Sequence, residues 1–446
     1  MTRLAVWSPL PPSPSGIADY VAESLPALAR LFDVEAVTDD PDATDPALRA
    51  AVRVRASAES PEADLHLYHV GNSPAHAFVY RAARARPGVV VLHDWSLHHL
   101  VLCETVERGD VSAYLREMRR GYGETGTFVG RQVARDLGGD LLPALFPLND
   151  RVLEGSLGVV TLSAQTAARV ARRLPGRPRL HLPHHLSLPI DPPPSRAESR
   201  ARLGLPADAF VVTAPGLATV SKRLDVAVRV MARLRADHPE AILVVAGASD
   251  PRLPLAAWAK ESGLGDGLRV TGRLALVDFE RHLAAADAVL ALRFPSHGEM
   301  SGAVVRALGV GRPVLVSAGS AADEEFPEGV VVPIDPGRRE EAELEAFLRH
   351  LHASLSLRET IGELAAVHVR RRHQLAETTE TLAGFLRAVE AGKSQALAAL
   401  QADRTDEGGL LGYFMEEVRG GARDLGLAEV RLGLEGLFEP LARGAR

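Results

Sequence analysis

The order of apolar runs in this 446-residue chain predicts an α/β protein of two doubly wound domains followed by a helical extension. Three observations carry that prediction. Short Val, Ile, Leu and Ala runs recur with amphipathic helical patterns between them, a Pro-rich stretch interrupts the rhythm near the middle, and the pattern turns helical from about Ala342.

In chain order, Leu4 to Trp7 reads as a strand, and Ile17 to Phe32 as an amphipathic helix with Tyr20, Leu25, Leu28 and Leu31 on or near one face and a kink expected at Pro26. Leu65 to Val70, Val89 to Leu92 and Gly158 to Leu162 are continuous apolar runs, as strands buried on both faces require, and Ser163 stands where a helix N-cap belongs. HLPHHLSLPIDPPPSR cannot hold a regular helix or a central strand, and the domain linker belongs there. Beyond it the rhythm restarts with strands at Ala209 to Ala214, Ala241 to Ala246, Leu268 to Val270 and Ala288 to Leu292, and helices at Leu224 to Asp237 and Phe279 to Ala285. A helix from near Ala303, ended by Gly311-Arg312-Pro313, leads to the strand Val314 to Val316. Residues 376–446 carry Leu and Ala at helical spacing, broken at Gly408-Gly409 and Gly420-Gly421, which reads as a helical extension packed on the core or on a second subunit. The expected boundaries are 1–186 for the first domain, 187–205 for the linker, 206–372 for the second domain and 373–446 for the extension.

Hydrophobic content of 46%, charged content of 24% and a net charge of -6 fit a globular protein without a general attraction to nucleic acid or anionic membrane. The opening MTRLAVWSPLPP is too short in apolar residues for a signal peptide or a span, and the single cysteine, Cys103, excludes an internal disulfide. Both fit a cytoplasmic protein.

The chemistry concentrates in loops that follow strands. In PSHGEMSG, Gly298, Ser301 and Gly302 allow close backbone approach, Glu299 supplies an acid, and the helix beyond offers the positive end of its dipole to a phosphate. Lys222 and Arg223 follow the first strand of the second domain, where cations can neutralise a diphosphate. In the first domain, His93 and Asp94 end a buried strand, and His98 and His99 close behind point to a polar cleft. Such imidazoles invite a zinc reading, but no HExxH pattern or cysteine ligand accompanies them, so no metal is expected. Gly16, after the first strand, offers a helix start to a phosphate or sugar, and Asn72, in HVGNS, a hydroxyl contact or an ordinary turn.

Taken together, PSPSGIADY, LHD, the Pro-rich linker, SKR, VTGR and GEMSG with ALGVGRPVLVS resemble a family 4 glycosyltransferase over roughly residues 3–370. The resemblance implies a GT-B fold, two Rossmann-like domains facing across a cleft, and metal-free transfer of a sugar from a nucleotide donor with retention of anomeric configuration. It places Lys222 on the donor diphosphate, with the family's usual arginine falling on Leu217 and Arg223 taking over its charge. It places Gly272 and Arg273 near the base, and Glu299 on the donor sugar's hydroxyls. Met300, Ser301 and Gly302 give N–H groups to phosphate, His93 lies near the sugar, and Gly16 is the N-terminal loop glycine. Arg306 stands where the family holds a second, ribose-binding glutamate, and the loop between is one residue short.

The expected function is therefore a retaining hexosyltransferase that uses a nucleotide sugar, without cofactor or metal. The acceptor is a glycan, a lipid-linked molecule or a small molecule, with Asn72 and Asp94 as candidate contacts and peripheral membrane contact left open. The missing acid motivates an alternative, a non-catalytic nucleotide-sugar or glycan binder that assembles through its C-terminal helices; a sugar-nucleotide epimerase lacks an acid pair to support it.

Overall fold

The computed structural model describes residues 1–139 and 141–405. The extension's residues 406–446, with both Gly-Gly breaks, lie outside the described residues. Seven parallel strands form the first sheet: β1 Arg3–Trp7, β2 Asp33–Thr38, β3 Arg53–Ala56, β4 Leu65–Val70, β5 Val89–Leu92, β6 Gly158–Thr161 and β7 Arg179–His181, in the order β3-β2-β1-β4-β5-β6-β7. Six form the second: β8 Val211–Pro215, β9 Ile242–Ala246, β10 Leu268–Val270, β11 Ala288–Ala291, β12 Val314–Ser317 and β13 Val332–Ile334, in the order β10-β9-β8-β11-β12-β13. Both are doubly wound, and the winding reverses between β1 and β4 and between β8 and β11. Ligands of such sheets bind beyond the carboxyl ends of the strands at that reversal.

The strands form where the sequence supplies continuous apolar runs, because helices cover both sheet faces and leave no wet side. Val89 to Leu92 and Val314 to Val316 are wholly buried. Each such side chain contributes roughly 1.5–3 kcal/mol by leaving water. The first helix, Gly16–Leu28, starts at Ser15, whose hydroxyl accepts from the Ile17 amide, and it buries Tyr20, Val21, Leu25 and Leu28. Pro26 lies inside its last turn.

The stretch expected to be linker holds a helix, Arg196–Leu203. Its start is written locally: the Ser195 hydroxyl accepts from the Glu198 amide while the Glu198 carboxylate accepts from the Ser195 amide. Further on, the helix Leu355–Arg372 packs on Gly302–Gly309 in the second domain, whereas Leu375–Ala391 crosses back and packs on Gly16–Leu28 in the first. Leu382, Ala383, Leu386 and Val389 join Leu25, Leu28 and Phe32 in one buried cluster, so this part of the extension spends its apolar face within the chain. The crossing is tied to the linker, since Leu186 N–H donates to the His373 carbonyl at 2.6 Å and His373 Nδ1–H to the His184 carbonyl at 2.6 Å. Among the described residues no helix is long and apolar enough to cross a membrane.

Candidate functional site

Beyond β8 the chain turns at Gly216 and brings Lys222 back over it, with Nζ donating to the Pro215 carbonyl. A Cβ at residue 216 would lie 3.0 Å from Nζ, and φ there is 80°, so glycine suits the turn on both counts. Beyond β11, Arg293 donates from Nε to Glu299 Oε1 at 3.0 Å, while Glu299 Oε2 accepts from the His297 amide at 2.8 Å. Burial, together with the Arg293 guanidinium, lowers the Lys222 ammonium well below its ordinary pKa, and Glu299 partly opposes the shift. A Lys, an Arg and a Glu thus share one polar surface at the second sheet's switch point. The helix Gly302–Gly309 opens beside it, and no side chain caps its first turn.

Across from this surface, β4 and β5 present a hydrogen-bonded histidine group. His69 Nδ1 and His93 Nε2 are 3.0 Å apart, one donating and the other accepting, and His76 Nδ1–H donates to the His69 carbonyl at 3.0 Å. His69, His76 and His93 are buried. Burial holds His93 well below its usual pKa and brings His69 to about 3 and His76 to about 4, so all three are neutral imidazoles at ordinary pH. Asp94 Oδ2 accepts from the Asn72 amide at 2.6 Å. Burial and the nearby Glu299 raise the Asp94 carboxyl to about 7.

The two walls touch. Trp95 N–H donates to the His297 carbonyl at 2.9 Å, and the Thr166 hydroxyl to the Gly298 carbonyl at 2.9 Å. Gly298 is required here, because its φ is 73° and a Cβ would sit 2.7 Å from the Trp95 Cβ. Arg273 donates from Nη2 to the Pro12 carbonyl at 2.7 Å. At the cleft floor, Arg306 reaches Glu23 on the first helix and the Ser187 carbonyl, and Glu23 also holds His185 Nε2 at 3.0 Å. Burial pushes the Glu23 carboxyl up, but His185 and Arg306 outweigh it and hold the group below its usual pKa. Position 306 is therefore a cation built into the junction between the domains.

The structure brings Lys222, Glu299, His93, Asp94, Met300, Ser301 and Gly302 to the facing strand ends. Gly16 opens the first helix and Gly272 follows β10, and a Cβ at either would meet nothing within 4 Å. Three expectations need correction. Arg223 does not join Lys222: its backbone is left-handed, with φ 54°, and its guanidinium is committed to the buried Glu340, Nε to Oε2 at 3.1 Å. Asn72 is spent on structure, since its Oδ1 accepts from the Leu100 amide at 3.1 Å in the first turn of the helix His98–Glu104. Of the neighbouring histidines, His98 binds the Phe146 carbonyl and Tyr114 at 2.6 and 2.9 Å, and His99 is exposed beside Cys103, so neither adds to the His69–His93 group.

Two groups went unread in the sequence. Arg293 carried one signal, a lone cation directly after an apolar strand. The prolines around His184 and His185 mark only an irregular segment. The His184 Nδ1–H donates to the His185 carbonyl at 2.8 Å, which leaves Nε2 as an acceptor 3.0 Å from where a Gly302 Cβ would be. The Tyr20 ring contacts both, with centroids 4.8 and 4.2 Å away.

Two doubly wound domains with facing switch points define the GT-B glycosyltransferase fold, and solved structures of that class are similar to this chain. Sucrose-phosphate synthase from Thermosynechococcus elongatus superposes with a TM-score of 0.63 at 18% identity, over 88% of this chain and 100% of the other. Anabaena HepE in complex with UDP and glucose superposes with a TM-score of 0.60 at 16% identity, over 87% and 100%. Residues 195–366, which span the second domain, match the family described as "Glycosyl transferases group 1". The D-inositol 3-phosphate glycosyltransferase of Kineococcus radiotolerans is 34% identical over 137 residues, 28% of this chain and 31% of that protein. The matched segment thus spans under a third of that relative.

Proposed function

We propose that the chain is a retaining glycosyltransferase of family 4, a variant without the second glutamate, that moves a hexosyl group from a nucleotide-diphosphate sugar to an acceptor hydroxyl on a glycan, a lipid-linked molecule or a small molecule. The observation that carries the proposal is the meeting of Lys222, Arg293 and Glu299 at the second sheet's switch point, opposite His93 and Asp94 at the first. The bond from the anomeric carbon to the diphosphate oxygen breaks, the acceptor oxygen bonds on the same face, and its proton passes to the departing diphosphate. Lys222, Arg293 and the amides of Met300, Ser301 and Gly302 face the charge that grows on the leaving group. Arg293 here supplies the second cation in place of Arg223, and no metal or cofactor is needed.

Glu299 receives donor-sugar hydroxyls, and neutral His93 serves as a hydrogen-bond partner on the sugar's other side. Gly16, Gly272 and Arg273 frame the nucleotide end, and ribose is held by groups other than residue 306. The Trp95–His297 and Thr166–Gly298 contacts exclude water when the walls meet, which protects the donor from hydrolysis.

The test is nucleotide release from a panel of UDP-, GDP- and ADP-sugars with candidate acceptors. Lys222→Ala and Glu299→Ala are each expected to lower kcat/KM at least about tenfold, about 1.4 kcal/mol of transition-state stabilisation. Unchanged rates in both remove these residues from the mechanism, and donor binding without turnover across the panel makes the protein a binder.

A further inference from the structure

The second domain carries a side-chain cluster that the reaction does not use. His238 directly follows the helix Leu224–Asp237, Glu240 lies two residues on, and His352 is in the last turn of the helix Glu340–Ala353. The Glu240 Oε1 lies 3.0 Å from His352 Nε2 and 3.9 Å from His238 Nδ1, and the two imidazole rings are 3.8 Å apart. One ligand atom from each of the three falls within 4.8 Å of the others. A tetrahedral zinc ion with bonds of roughly 2.0–2.1 Å separates its ligand atoms by about 3.3–3.4 Å, between the two distances to Glu240, and the closely packed imidazoles part by roughly 1–1.5 Å when both turn a nitrogen to the ion.

Both histidines sit at helix carboxyl ends, where Arg358 Nη1 already donates to the Leu351 and His352 carbonyls, at 3.1 Å to the latter, so an ion would be held by the three side chains themselves. The loop is fixed as a platform: His238 N–H donates to the Leu234 carbonyl, Ala241 N–H to the His238 carbonyl, and Arg235 Nη1 to the Ala241 carbonyl at 2.7 Å. The Phe210 ring meets His352 edge-on at 5.1 Å and sets its orientation. All three candidate ligands are partly exposed, so an ion can enter from solvent and keep a water as fourth ligand.

We infer that His238, Glu240 and His352 form an open zinc-binding site, three protein ligands and a water, that ties the carboxyl ends of two helices 112 residues apart in the chain. The site lies at the far end of the 14-residue helix that begins beside Lys222, a distance of about 20 Å at 1.5 Å per residue, so it acts on stability and takes no part in sugar transfer.

Chelator-treated full-length protein, titrated with Zn2+ against a competing chromophoric chelator, is expected to bind one equivalent tightly and to gain in Tm. The variant His238→Ala/His352→Ala is expected to bind at least about a hundredfold more weakly and to lose the Tm gain. Glu240→Gln, which preserves shape, weakens binding in the same direction, and circular dichroism of the metal-free variants checks that they fold. A rival cluster, His99, Cys103 and Glu107, also gathers its ligand atoms within 4.8 Å. Cys103→Ser therefore leaves binding intact, and the cobalt-substituted protein lacks a sulfur-to-metal charge-transfer band. Unaltered zinc affinity in the double histidine variant, a thiolate band, or no stoichiometric binding by the unmodified protein overturns the inference.

Discussion

The two walls of the cleft are built on opposite electrostatic plans. On the first domain's side, His69, His76 and His93 are buried, neutral and bonded to one another, while burial also shifts Asp94 toward its uncharged form. On the second domain's side, Arg293 and Glu299 form an ion pair beside Lys222, whose ammonium is held well below its ordinary pKa by burial and by Arg293. The contrast teaches a division of labour: the wall with Lys222 and Arg293 can gain positive charge against a bound diphosphate, whereas the histidine wall stays neutral and can approach a sugar ring without competing for the same phosphates.

The sharpest way to break this comparison is at the junction of the walls. Arg306→Glu introduces the acid that the sequence resemblance would place there but sets it against Glu23, now without its guanidinium, and stability is expected to fall by roughly 3–5 kcal/mol in urea unfolding. Adding Glu23→Arg re-forms the pair in reverse and recovers part of that loss; equal loss in the single and double variants refutes a paired junction.

Next in size is the choice between two arginines. Arg293→Ala is expected to lower kcat/KM for the nucleotide sugar at least about tenfold, whereas Arg223→Ala, which removes a partner of Glu340, changes it less than about twofold once folding is checked. The reverse ranking returns the second cation to Arg223.

The pH dependence of nucleotide binding sharpens the contrast further. Lys222 is depressed in the free protein, and a bound diphosphate draws its pKa up, so the complex holds more protons than the free protein. UDP affinity is then expected to fall as pH rises between those two pKa values, by up to about tenfold per pH unit, with proton uptake visible by calorimetry in buffers of different ionisation enthalpy. Lys222→Met abolishes the uptake; uptake that persists in the variant points to another group. The smallest effect belongs to Asn72→Ala, which leaves the Leu100 amide without its acceptor and costs about 1 kcal/mol of stability, with the donor KM unchanged. A raised donor KM restores Asn72 to the site.

What could be read in the sequence follows from where each residue's environment is set. Central strands such as Val89–Leu92 and Val314–Ser317 were legible, since burial on both faces demands an unbroken apolar run. β3 (RVRA), β7 (RLH) and the interior β2 (DVEAVT) were not, because charged residues break their apolar runs, while the edge strand β10 (LRV) was legible only from its place in the α/β rhythm. In the site, Lys222 and Glu299 could be found from loop position after a strand. Arg223 misled because adjacency in sequence does not give shared direction: a single left-handed residue turns it to Glu340. His184 and His185 escaped because prolines identify a segment as irregular without saying what it faces.

The chain crosses between its domains twice, near Leu186 and again near His373, and the two crossings are hydrogen-bonded side by side. A single tether leaves the domains joined at a point, whereas two bonded tethers join them along a line. Glu23 and Arg306, which bonds the Ser187 carbonyl, lie against that line, whereas Trp95 and His297 meet at the far strand ends, so the two contacts brace the cleft at its root and at its rim.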